Sequence, residues 1–148
     1  MLSGQPVKRG TMAHEHIVYM MLVDSASRAV NESAIRKYAP RLEELAVRDD
    51  HKPYLAVAHR AWGIAHRLAG EYKKAAGRLD SALNIFEELE MPWQIGRTLY
   101  ELGELALAQT EGGDAYVYFT RAQEMFEQLG AKPDIARTTA KLEKSKQN

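Results

Sequence analysis

The 148-residue chain contains no cysteine. Disulfides, cysteine nucleophiles, thiolate metal sites and iron–sulfur clusters are therefore excluded, and the composition suits a reducing compartment. An excess of charge is also missing, since 20 Lys and Arg face 20 Asp and Glu. Without a basic surplus there is no electrostatic footprint for nucleic acid or for an anionic membrane. Long apolar runs are lacking too. The longest spans the seven residues Ile17 to Val23, against about 20 needed to cross a bilayer. Lys8 and Arg9 precede it, but His14, Glu15 and His16 interrupt any signal-peptide core and Asp24 closes it. These absences predict a soluble, cytoplasmic protein with no nucleic-acid or membrane partner. At this length the chain has room for one domain with a real core.

What is present is a repeat. Residues 63–89 align without gaps onto 103–129, a shift of 40, with seven of 27 positions identical. The identities are Gly63/Gly103, Glu71/Glu111, Ala75/Ala115, Ala82/Ala122, Phe86/Phe126, Glu87/Glu127 and Leu89/Leu129. A second thread joins Pro53-Tyr54-Leu55-Ala56 to Pro133-Asp134-Ile135-Ala136, and Ile95-Gly96-Arg97-Thr98 to Ile135-Ala136-Arg137-Thr138. Each unit reads as two helices. Ala75, Leu79, Ala82, Leu83, Phe86 and Leu89 follow the spacing of one helical face, and Ala115, Phe119, Ala122, Met125, Phe126 and Leu129 restate it. Breaks are expected at Ala69-Gly70, at Glu111-Gly112-Gly113 and at Gly130 to Pro133, with Asp114 as an N-cap.

The upstream pattern is weaker but still helical. One helix is expected over roughly 12–30 and a second from Glu32 to Val47, capped by Asn31 and kinked at Pro40. The tally is three helix pairs, near 11–48, 53–90 and 92–130, plus a terminal helix over 134–146, in a single domain. Residues 1–10 read as a flexible leader and Ser145 to Asn148 as a frayed tail.

At this point the residues resemble tetratricopeptide repeats. The matching features are Trp62-Gly63 with Ala75, Leu79 and Ala82, and Leu102-Gly103 with Ala115, Phe119 and Ala122. Gly and Ala let paired helices approach closely while the larger side chains fill the space between neighbours. The 40-residue period, with Phe-Glu-x-Leu before Pro and then Ile-x-Arg-Thr, is similar to repeats attached to bacterial signal-transduction ATPases and nucleotide cyclases. The resemblance implies an all-α, right-handed α-α superhelix. It also implies a non-catalytic protein–protein interaction module, regulatory or scaffolding in a signalling system, with no cofactor.

Carried over position by position, the family's concave wall would comprise Val57, Arg60, Ile64 and Arg67, then Arg97, Tyr100, Glu101 and Glu104. Arg137, Lys141 and Lys144 would extend it, and Ile17, Met20, Met21, Asp24 and Arg28 would open it. Stacked arginines suit a carboxylate, so an acidic or C-terminal peptide segment is the expected ligand. The same arginines could instead pair with Asp24, Glu101 and Glu104 of adjoining repeats. The Ile17–Val23 stretch exceeds the needs of one amphipathic face and suggests a homodimer contact.

Catalytic readings find little support. Gly112-Gly113 lacks the Gly-Lys-Ser/Thr ending of a phosphate loop. His14 and His16 point apart on a helix, and His59 and His66, seven residues apart, share only a face. A metal-dependent hydrolase built on these histidines is the alternative from another class. Glu43-Glu44, Glu87-Glu88 and Glu101/Glu104 read as solvated faces.

Overall fold

A computed structural model describes the backbone of residues 4–146 and the side chains of residues 14–145. Seven helices account for the described residues: α1 (Gly4–Arg28), α2 (Glu32–Arg48), α3 (Lys52–Leu68), α4 (Tyr72–Glu88), α5 (Pro92–Ala108), α6 (Gly112–Leu129) and α7 (Lys132–Lys146). No strand occurs among them. Each helix packs on the next, and α1 also packs on α3 and α3 on α5. The odd-numbered helices therefore lie side by side as an inner layer, backed by the even-numbered ones. This is an all-α helical-repeat solenoid of three hairpins and a closing helix, the architecture that the 40-residue period predicts.

The turns recur every 20 residues. Val30, Asp50, Gly70, Glu90, Thr110 and Gly130 all take positive φ, between 51° and 77°. After each, an amide reaches back to a carbonyl five residues earlier: Asn31 to Ala26 at 3.0 Å, His51 to Ala46 at 2.8 Å, Glu111 to Ala106 at 2.8 Å. These Schellman turns satisfy carbonyls left open at the helix ends and reverse the chain each time. Four of the six turn residues are not glycine, so the backbone there is strained, most of all at the β-branched Val30 and Thr110.

Several local expectations need correction. Gly112 and Gly113 are not the break but the first residues of α6, because the left-handed residue is Thr110. Glu111 holds the N-cap position and makes no side-chain cap, while Asp114 sits in the first turn, where its charge meets the positive helix end. Pro40 does not interrupt α2. It lies on the exposed side, where water can satisfy the carbonyl it leaves free. Helix α1 opens at Gly4 rather than near residue 12. Pro6 falls in its first turn, where amide hydrogen bonds are not required. The leader assigned to 1–10 thus overlaps helix from residue 4, and residues 1–3 lie outside the described residues. Ser145 belongs to α7 and donates to the Lys141 carbonyl at 2.9 Å; residues 147–148 lie outside the description. The Asn31 cap stands as expected, its Oδ1 accepting from the Ala34 amide at 3.1 Å.

Packing within the hairpins follows the repeat position for position. A Cβ at Gly63 would lie 2.6 Å from Leu79, and one at Gly103 would lie 2.6 Å from Phe119. Only glycine lets α3 and α4, or α5 and α6, come this close. Phe86, Phe119 and Phe126 are completely buried between helices. Each contributes about 2–3 kcal/mol of apolar burial. No described helix is long and apolar enough to cross a membrane.

Candidate functional site on the inner face

Asp24, near the end of α1, is the hub of the inner layer. Its Oδ1 lies 2.8 Å from Arg97 Nη2 of α5 and 3.6 Å from Arg60 Nη2 of α3, and its Oδ2 accepts from Arg28 Nε at 3.1 Å. One carboxylate thus meets arginines from three first helices. Burial acts to raise its pKa, but Arg97, Arg60 and Arg28 together outweigh burial and hold the carboxyl below its usual range.

Arg60 was expected on the binding wall and is instead sealed within it, 1% exposed. Its Nη1 donates to Gln94 Oε1 at 2.8 Å and to Thr98 Oγ1 at 3.4 Å, and its guanidinium lies 5.3 Å over the Phe86 ring. Burial weakens its hold on the proton, to about 9, so the group is still charged at neutral pH. Ile64 and Val57 are likewise buried and can only support the wall from behind. The carried-over family positions placed all three on the inner wall but did not tell its floor from its surface.

Of the remaining wall residues, Arg28, Arg67, Arg97, Tyr100, Glu101, Glu104 and Arg137 converge. A pocket of about 120 Å³ is lined by Ser27, Arg28 and Val30 of α1 and its turn, Arg67 of α3, Arg97, Tyr100, Glu101 and Glu104 of α5, Phe126 of α6 and Arg137 of α7. Each inner helix contributes one arginine. Arg67 Nη2 donates to Glu101 Oε1 at 3.4 Å, and Lys141 Nζ lies 2.8 Å from Glu104 Oε1. Glu101 and Glu104 are therefore paired and mostly buried, not solvated. Burial pushes the Glu101 carboxyl up, and burial with the two glutamates beside it pushes Tyr100 to about 12. Arg67 Nε is buried without a partner. Arg28 and Arg137 are about half exposed. Lys144 is exposed, as is Met21, while Met20 packs partly against the core.

Trp93 is the residue that sequence reasoning missed. It donates from Nε1 to Asp134 Oδ2 of α7 at 2.9 Å. Arg97 and Arg28 lie 5.1 and 5.4 Å from its ring centre. It therefore fastens α1, α5 and α7 around the pocket mouth. Its place beside the helix-opening Pro92 gave no signal of these long-range partners.

His14, His16, His59 and His66 do not gather. His16 is buried, with Nε2 2.7 Å from Asp49 Oδ2, while His14 is exposed. Hydrogen bonds from Arg48 and His16 hold the Asp49 carboxyl down at about 2. His59 lies 3.0 Å from Arg78, and His66 lies 2.8 Å from Glu71. Among the described residues no three His, Asp or Glu side chains form a metal-binding group. Compared with known families and curated proteins, the chain matches no family model and no curated protein.

Proposed function

We propose that the chain is a non-catalytic interaction module of the tetratricopeptide kind, which receives an acidic segment of a protein partner in the pocket on its inner face. The observation that carries this reading is the ring of four arginines, one from each inner helix, around a pocket of about 120 Å³. Counting Arg60 and Lys141, six cations there meet the four carboxylates Asp24, Glu101, Glu104 and Asp134. The surplus of two positive charges stands in a chain whose net charge is zero. A single carboxylate group, from a side chain or a chain terminus, suits this space. A nucleotide or other small-molecule cofactor calls for a cleft of about 300 Å³ or more. Arg28 and Arg137, half exposed, are the forks available to the ligand, while Arg60 and Arg97 hold the frame. A regulatory or scaffolding place in a cytoplasmic signalling system is consistent with this role.

The test uses a labelled peptide ending in acidic residues, with a free or an amidated C-terminus, and the double variant Arg28→Ala/Arg137→Ala. The double variant is expected to bind the free-carboxylate peptide about tenfold more weakly. Equal affinity of the folded variant and the parent would remove the inner pocket as the site. A second reading, self-association through α1, is favoured by Ile17, Val18 and Met21, which are 46%, 49% and 61% exposed. A Met21→Glu change should then turn a dimer into a monomer in sedimentation experiments.

A further inference from the structure

The outer layer carries a second, oppositely charged groove. It runs between α4 and α6 over the first half of α5 and encloses about 560 Å³. Its floor is apolar: Pro92, Ile95 and Leu99 of α5 with Met125 of α6. Its rim is acidic: Glu87 and Glu90 at the end of α4 and Glu124 on α6, against Arg121 alone.

The neighbouring furrow, one hairpin earlier, is closed by its own side chains. There Arg78 of α4 reaches across to Glu43 of α2 at 2.5 Å and to His59 at 3.0 Å. His59 stands 40 residues before Leu99, so the polar latch of one furrow is replaced in the next by a buried leucine, beside which Ile95 and Met125 are partly exposed. Across the open furrow the only ion pair among the described residues is Arg121 with Glu87, at 4.0 Å and half exposed on both sides.

The charge of the rim selects the occupant. The last turn of α4 contains no basic residue, yet Glu87, Glu88 and Glu90 crowd the negative end of its dipole. This arrangement opposes the helix in isolation and is relieved by a cation brought from outside. We propose that the α4–α6 furrow docks a basic amphipathic segment of a partner protein. A large apolar side chain of that segment rests on Ile95 and Met125, and its Lys or Arg residues meet Glu87, Glu90 and Glu124. Apolar contact supplies the affinity and the acidic rim sets the orientation and the rate of encounter. The furrow and the inner pocket then accept segments of opposite charge on opposite faces of one stack.

The experiment is selection of a random short-peptide phage library on the full chain, followed by anisotropy titration of the selected peptides at low ionic strength. The exposed rim pair is reversed in the variant Glu90→Lys/Glu124→Lys, whose helicity is checked by circular dichroism. Selected peptides should pair Lys or Arg with a large apolar residue and should shift the amide signals of Ile95, Leu99 and Met125. The reversal should weaken them about tenfold. Selection of acidic peptides only, failure of any peptide to enrich, or unchanged binding to the folded variant would overturn the proposal. So would signal shifts confined to the inner pocket. A dimer of the parent chain abolished by the same reversal would assign the furrow to a second copy, and would also overturn it.

Discussion

The inner layer and the hairpin interiors are held by different forces. Around Asp24 the inner helices are joined by charge, with Arg28, Arg60 and Arg97 sharing one carboxylate in a largely dry setting. Inside each hairpin the contact is apolar and steric, with Gly63 against Leu79 and Gly103 against Phe119. Buried charge costs desolvation and returns its worth only when every partner is in place, so it specifies geometry more than it adds stability. Close packing of a glycine face against a large side chain adds stability without choosing a direction across the groove. The charged layer therefore determines how the first and third hairpins meet, and the steric layer determines that each hairpin forms.

Removing the hub should have the largest effect. Asp24→Ala leaves Arg60 buried with its main counter-charge gone, and should cost about 3 kcal/mol in urea unfolding. Because the folded-state pKa of Asp24 lies below its ordinary 3.8, its contribution is present above pH ~4 and is lost as pH falls through the lower folded value. Asp24→Asn should accordingly flatten the acid limb of the stability curve. Next comes the steric layer. Gly103→Ala drives a methyl into the fully buried Phe119 ring and should cost about 2 kcal/mol. If it proves more damaging than Asp24→Ala, the hairpin crossing tolerates disturbance less than the inner layer tolerates a stranded Arg60.

The smallest effect has the opposite sign. Val30→Gly relieves a β-branched residue at φ 52° and should stabilise the protein by about 1 kcal/mol. Thermal unfolding reads it directly. A loss there would mean that the Val30 side chain, at the pocket mouth, contributes more packing than the turn costs.

Much of the fold was legible because it is local. The stripe from Ala75 to Leu89 and its copy 40 residues on define helices by spacing alone, and Gly63 with Leu79 defines how a hairpin closes. Asn31 caps as its side chain dictates. The turns were less legible. Glycine marks only Gly70 and Gly130, while Val30, Asp50, Glu90 and Thr110 take the same left-handed geometry against their own preference. The Schellman hydrogen bonds and the packed helices on either side impose it, and neither leaves a mark in the turn's own residues. That is why Gly112-Gly113 attracted the break that belongs to Thr110. In the inner pocket, Arg67, Arg97, Tyr100, Glu101, Glu104 and Arg137 were reached only by carrying over the positions of the family that the repeats resemble. The burial of Arg60 and Ile64 and the reach of Trp93 were not legible.

Helical spacing, small residues at hairpin crossings and the 40-residue recurrence are properties of neighbours in the chain, so the residue order alone determined seven helices paired into a stack. Which arginines are sealed and which are free, which furrow is latched and which is open, depends on side chains tens of residues apart meeting across the superhelix. Only the tertiary arrangement decides that, because the curvature that brings Asp24 to Arg97 and Trp93 to Asp134 is the sum of many small helix-to-helix rotations, none of them encoded at a single position.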